Sequence, residues 1–408
     1  MVFTRRQIYR RRRIAVFGGL AFLLAAGFYL PFTLLAPVSP VSAVVVPWDA
    51  PVTSDPTLSF PSYGASGIGA IGYDGVLASA GTSGPLPIAS ITKVITALTV
   101  LDVKPLTPGE AGPDITFSDV DERFYTNQVA QDGVVEPAAA GQVMSEGTML
   151  TVMLMASANN YADSVAHWAF GSEPAYLDAA RAWLASNGFT ATTVTDPSGI
   201  ESTNVSNVAD LVHLATLALQ NPVVAQIVDT ATLDVPNIGT VVNRNELLGI
   251  DGVNGIKTGT LDESGACLLF SAKETIGTDT VTLVGVVLGG PDHPTVAANV
   301  QSLLAEAVAG FHEVTLTTIG EQFARYSTRW GDSAAAVATM DQSVLVWSAL
   351  PITLAVEATP VRLAGAASSV GSAVFTVGER VFTVPLALSA SIDDPGAWWR
   401  LTNPARLS

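Results

Sequence analysis

The chain has few cysteines, histidines and lysines, and each scarcity excludes something. A single cysteine, Cys267, rules out an internal disulfide. It lies in the apolar run Ala266-Cys267-Leu268-Leu269-Phe270 and reads as a small buried hydrophobe. The four histidines (His167, His213, His293, His312) show no metal-ligand spacing. We read them as structural or surface residues and expect no metal site. Acidic residues are missing from the start of the chain: no Asp or Glu precedes Asp49. That stretch instead holds Arg5, Arg6, Arg10, Arg11, Arg12 and Arg13, six of the 19 basic residues. After Arg13, 13 basic residues face 36 acidic ones. So acidic a body lacks the basic footprint that nucleic-acid binding requires. Of the 408 residues 49% are hydrophobic and 13% charged, enough to build one large domain and a smaller one.

Behind the arginine cluster, Ile14 to Leu35 run for 22 residues without a charge. A membrane-spanning helix needs about 20, whereas the apolar core of a signal peptide usually has about 7–15. Val41-Ser42-Ala43 offers a small-residue cleavage site, but far from the middle of this run. An uncleaved anchor is therefore expected, basic end in the cytoplasm and body outside. Pro37, Pro40, Pro47, Pro51, Pro56 and Pro61 then predict an extended, semi-rigid tether.

Farther on, Gly69–Tyr73 and Val76–Ala78 read as strands around an Asp74-Gly75 turn. From Ser90 to Val100, Ile91, Val94, Ile95 and Leu98 fall on one helical face. Helical patterns follow over 148–170, 178–187 and 208–220. Strands are expected over 267–271 and 280–288, and a helix over 296–309. Strands that frame a helical middle suggest a sheet interrupted by an α-rich insertion. From about Val314 short β-rich runs take over: 344–347, 352–356, 374–377 and 381–384. Trp398-Trp399-Arg400 is expected to pack on that late region rather than to touch a membrane.

The only four lysines are Lys93, Lys104, Lys257 and Lys273, against fifteen arginines. Two of the four stand where arginine could not do the same work. In Ser90-Ile91-Thr92-Lys93 the spacing i, i+3 places amine and hydroxyl on one helical face. A serine hydroxyl needs a base to become a nucleophile. A lysine serves only if burial or a neighbouring cation lowers its pKa, and arginine cannot serve at all. Ser90 also starts the predicted helix, where backbone N–H groups favour developing negative charge. Alone, the motif fits a helix-capping serine and a surface lysine better than a catalytic pair. Ser157-Ala158-Asn159 is a second candidate, preferred over Ser202-Thr203-Asn204 because it follows the apolar run 151–156. The third is Lys257-Thr258-Gly259-Thr260, whose lysine, hydroxyls and glycine would suit a carboxylate. Turn chemistry is the plain alternative for both.

The three motifs occur in this order, 67 and 100 positions apart. Together they resemble the S-x-x-K, S-x-N and K-T-G signature of penicillin-binding proteins and serine β-lactamases. Longer stretches resemble the low-molecular-weight D-Ala-D-Ala carboxypeptidases: Pro87 to Leu98, Glu146 to Asp163, Asp196-Pro197-Ser198-Gly199-Ile200, Asn243 to Leu248, and Gly252 to Thr260. The resemblance covers about Gly67 to Phe311. Ala158, Asn160 and Ser198 depart from the residues common in that family.

The resemblance implies an α/β fold: an antiparallel sheet flanked by helices, an all-α subdomain with the site between them, and a small C-terminal β domain. With the arginine cluster, the apolar run, the prolines and the late β-rich texture taken together, the chain is expected to divide into a basic cytoplasmic tail (1–13), a transmembrane anchor (14–35), a Pro-rich linker (36–66), a catalytic domain (67–312) and a β-rich domain (313–408). The apolar run makes a single-pass protein of the cell membrane the expectation, and the resemblance implies that its body removes the terminal D-Ala from peptidoglycan stem pentapeptides outside the cytoplasm and is inhibited by β-lactams. Ser90 would be the nucleophile and Lys93 its base. Ser157 and Asn159 would assist, and Lys257, Thr258, Gly259 and Thr260 would bind substrate. No metal or organic cofactor is implied. A class A β-lactamase would add a Glu about 35 residues after the second motif, but none lies between Glu173 and Glu201. A D,D-endopeptidase, which shares the motifs, and a catalytically idle wall-binding homologue are the remaining alternatives.

Overall fold

The computed structural model describes residues 5–51 and 54–407, which divide into two compact units, 55–311 and 5–54 with 312–407. In the larger unit, Leu283, Val284, Val286, Val287 and Leu288 form a nearly continuous apolar run and all are buried. Such a run suits a strand covered on both faces. That strand, Asp279–Gly290, is the middle of a five-stranded sheet. The order is Val253–Leu261, Gly265–Ile276, Asp279–Gly290, Ala65–Ala70, Ala78–Gly81, every pair antiparallel. Helices Val208–Gln220 and His293–Ala309 pack on its central strands. Each is started by a side-chain cap, Asn207 on Asp210 N and Asp292 on Thr295 N.

Beside the sheet, helices Thr92–Val103, Asp119–Ala130, Glu146–Met155, Asn159–Phe170 and Glu173–Ser186 form the helical part. The first was read from sequence as one-sided. Instead Thr92 through Leu101 are all buried, because helices 146–155, 159–170, 173–186 and 208–220 all touch it. The helix expected over 148–170 is two helices. Ala156 ends the first, Ser157 takes a left-handed φ of 62°, and Ala158 is extended before the second begins. An L-residue takes that conformation at a cost, commonly at functional sites.

The smaller unit has a six-stranded antiparallel sheet with a core that includes Phe323, Tyr326, Phe375 and Leu386. Part of the segment read as a tether belongs to it. Val44–Val45 pairs with strand Gln322–Ser327, Val41 bridges Val361, and Trp48 stacks edge-on against Phe375. Helix Arg5–Leu34 is long and apolar enough to cross a membrane and includes the arginine cluster. Near the chain end, Arg400 is buried, pairs with Asp394 and donates to the Ala36 carbonyl, while Trp399 meets Trp330 edge-on. Trp398 does not follow them inward and is 79% exposed.

Candidate active site

Ser90 sits in a single 3-10 turn, Ala89–Ile91, that leads directly into helix Thr92–Val103. Three residues on, Lys93 is completely buried, and its Nζ donates to Ser90 Oγ (2.8 Å), Asn159 Oδ1 (2.7 Å) and the Ser198 carbonyl (2.7 Å). Burial lowers its pKa to about 7, and Arg244 pushes the same way, while Asp196 and Asp163 oppose them. The geometry then directs the lone pair. The Asn159 and Ser198 oxygens can only accept, so they hold the two N–H bonds of a neutral amine. What remains faces the Ser90 hydroxyl.

The left-handed turn at Ser157 aims its hydroxyl at Lys257, whose Nζ donates to Ser157 Oγ (2.9 Å) and to the Thr258 carbonyl (3.0 Å). Lys257 is also buried. Its pKa is driven well below the ordinary lysine range by burial, then by Lys93 and Arg244. Lys257–Thr260 belongs to the edge strand of the sheet, which runs past the Ser90 turn. A Cβ on Gly259 would lie 3.0 Å from the Ile88 carbonyl oxygen and 3.2 Å from Ser90 N. The glycine is what permits this approach. Ser90, Ser157, Thr258, Gly259 and Thr260 line one cleft of about 620 Å³, with Lys93 and Asn159 buried behind it.

The structure therefore brings all eight residues singled out from sequence to one place. It adds others. Asp196 folds the loop that offers the Ser198 carbonyl: its Oδ1 accepts from Ser198 N (2.7 Å), Ser198 Oγ (2.6 Å) and Gly199 N (2.7 Å), and its Oδ2 from Glu201 N (3.0 Å) and Asn204 Nδ2 (2.5 Å). The Asp-Pro-Ser-Gly string signals such a turn, but not its target. Arg244 lines the cleft from a loop tied to Met155. His293, read from sequence as structural or surface, also lines it and bonds Thr260 Oγ1 through Nε2 (2.7 Å). The 33 positions between them hide that pairing in the sequence. Burial lowers the His293 pKa, which favours the neutral imidazole.

A family model described as D-alanyl-D-alanine carboxypeptidase matches residues 73–292, more than half of the chain. The chain belongs to this family. Two curated relatives, both named D-alanyl-D-alanine endopeptidase, come from Pseudomonas aeruginosa and Escherichia coli K12. The first is 31% identical over 210 residues (49% of this chain, 63% of the relative), the second 32% over 190 (45% and 58%). The matched stretch thus spans less than two thirds of either relative. The solved D-alanyl-D-alanine carboxypeptidase DacD from Francisella tularensis superposes with a TM-score of 0.60 at 17% identity, covering 85% of this chain and 98% of that one. Such a likeness establishes the fold. It agrees with the α/β architecture that the resemblance implied.

Proposed function

We propose that the chain is a serine D,D-peptidase that removes the terminal D-Ala of peptidoglycan stem peptides through an acyl-enzyme on Ser90. The observation that carries this reading is the pairing of two buried lysines with two serines around one cleft, Lys93 with Ser90 and Lys257 with Ser157. Lys93 takes the Ser90 proton as Oγ attacks the carbonyl of the penultimate D-Ala. The resulting oxyanion would be met by the backbone N–H groups of Ser90 and Thr260. As the tetrahedral intermediate collapses, the C–N bond breaks and the leaving D-Ala nitrogen gains a proton through Ser157 and Lys257. Water then attacks the ester and gives a proton back through Ser157 and Lys257, while Lys93 returns its proton to Ser90 Oγ as the ester C–O bond breaks and the trimmed peptide leaves as the acid. The substrate carboxylate would lie against Lys257, Thr258 and Thr260. Its negative charge would raise the pKa of Lys257, so binding restores the ammonium that burial suppresses.

The names of the two curated relatives favour a second reading, in which the same acyl-enzyme is formed by cutting a cross-link between stem peptides. The chemistry at Ser90 is shared, and only the leaving group differs. In either case helix 5–34 would anchor the chain in the cell membrane with its arginines in the cytoplasm.

The test uses the full-length protein in detergent. A fluorescent penicillin should label it, and Ser90→Ala should not be labelled. Unlabelled wild type would overturn the reading. Release of D-Ala from a pentapeptide, measured beside cleavage of a cross-linked dimer, decides between the two leaving groups.

A further inference from the structure

Asn159 can keep the Lys93 lone pair on Ser90 only while it presents oxygen, not nitrogen, to the amine. Turned over, its NH2 would donate to a neutral Lys93 and compete with the Ser90 hydroxyl. What fixes the amide is a hydrogen-bonded chain behind it. Asn159 Nδ2 donates to Gln128 Oε1 (2.9 Å), and Gln128 Nε2 donates to Asp163 Oδ2 (2.7 Å). Burial raises the Asp163 pKa to about 7, so above that pH it is an ionised carboxylate, which only accepts. It therefore sets the direction of both amides, ending with Oδ1 on Lys93 at 2.7 Å.

The fold supports the chain at each link. Asn159 and Asp163 are i and i+4 on helix Asn159–Phe170 and share one face. Gln128 is buried on the facing helix Asp119–Ala130. Beside the central link, a Cβ on Gly133 would come within 2.6 Å of Gln128 Oε1 and 2.8 Å of Asn159 Nδ2. Asp163 itself borders a second cavity of about 480 Å³ and does not line the cleft that holds Ser90. Nothing in the reaction above uses it.

We propose that Asp163 is a positioning residue for acylation: acting through Gln128, it holds Asn159 with its oxygen on Lys93. This rests on the reading of Lys93 as the base for Ser90. The test is acylation of the full-length protein in detergent by a fluorescent penicillin, followed over a range of concentrations. Asp163→Ala should lower the limiting acylation rate roughly tenfold, the order of one hydrogen bond to a charged group. The half-saturating concentration should stay unchanged. Asp163→Asn keeps an acceptor oxygen and should recover part of the rate. Gln128→Leu breaks the chain one link earlier, so adding Asp163→Ala to it should cost nothing further. A wild-type rate in Asp163→Ala, or full additivity in the double variant, would overturn the proposal. So would unaltered acylation in a variant whose only change is a lower melting temperature. Failure of the wild type itself to acylate would remove the reading of Ser90 and Lys93, and this inference with it.

Discussion

The Nζ of Lys93 and the Oγ of Ser90 are 2.8 Å apart, with the lysine wholly buried and the serine open to the cleft. Solvent is thus withheld from the base and granted to the nucleophile. Burial disfavours the ammonium, and the fixed acceptors on its far side decide where the free base points.

The first consequence is a pH profile. Burial brings the Lys93 pKa down to about 7. Below that value the amine is protonated and cannot take the serine proton; above it the base is free. Acylation should therefore rise as pH increases through about 7 and then level off. Lys93→Arg retains the positive charge but cannot deprotonate in this range. It should slow acylation by about 10²–10⁴-fold, the usual worth of a positioned base. The check is the acylation rate of both proteins between pH 5 and 9, a window of about two units either side of neutrality. A flat wild-type profile would exclude Lys93 as the base.

A second consequence concerns Gly259. An alanine there would press on the Ile88 carbonyl at 3.0 Å and the Ala89 Cβ at 3.1 Å. These belong to the turn that carries Ser90, so either strand or turn must shift. The shift needed is a few tenths of an ångström, short of the full ångström that can cost about a hundredfold at a reacting centre. Gly259→Ala should lose less than that factor, about tenfold, in acylation while its melting temperature changes little. Measuring both in parallel separates a misplaced nucleophile from a protein that has unfolded.

Why some of this was legible in the sequence and some was not follows from separation along the chain. Ser90 and Lys93 are one helical turn apart, so their meeting is a local matter. The family resemblance linked Ser157 with Lys257 across 100 positions, which periodicity alone cannot do. The break at Ser157 leaves no mark in the sequence because the apolar pattern continues through it, and a left-handed serine has no sequence signature. Ser202-Thr203-Asn204, the competing Ser-x-Asn, proves to be turn chemistry: Asn204 accepts from Thr195 N and donates to Asp196. Gln128 and Asn159 are 31 positions apart, and neither residue type announces a partner. Residues 41–48 looked like a tether because proline density reports backbone stiffness, not the sheet edge it meets.

The third consequence is a pH-dependent stability that centres on Asp196. Burial alone would raise its pKa, but hydrogen bonds from Ser198, Glu201 and Asn204 outweigh that and hold it below the ordinary value. A carboxyl depressed in this way stabilises the fold above its unfolded pKa of about 3.9, and that contribution disappears as pH falls through the folded value. Asp163 and Glu146 work in the opposite sense, because burial pushes both up to about 7. Their contribution is complete below about pH 4 and is lost as pH rises toward 7. Replacing Asp196 with alanine leaves the buried Ser198 and Gly199 amides without their acceptor, at a cost of about 3 kcal/mol at neutral pH. The gap in melting temperature between wild type and Asp196→Ala should therefore be widest above pH 5 and close as pH drops below about 4. A gap that stays constant across that range would mean that loop geometry, not the charge on Asp196, carries the stabilisation.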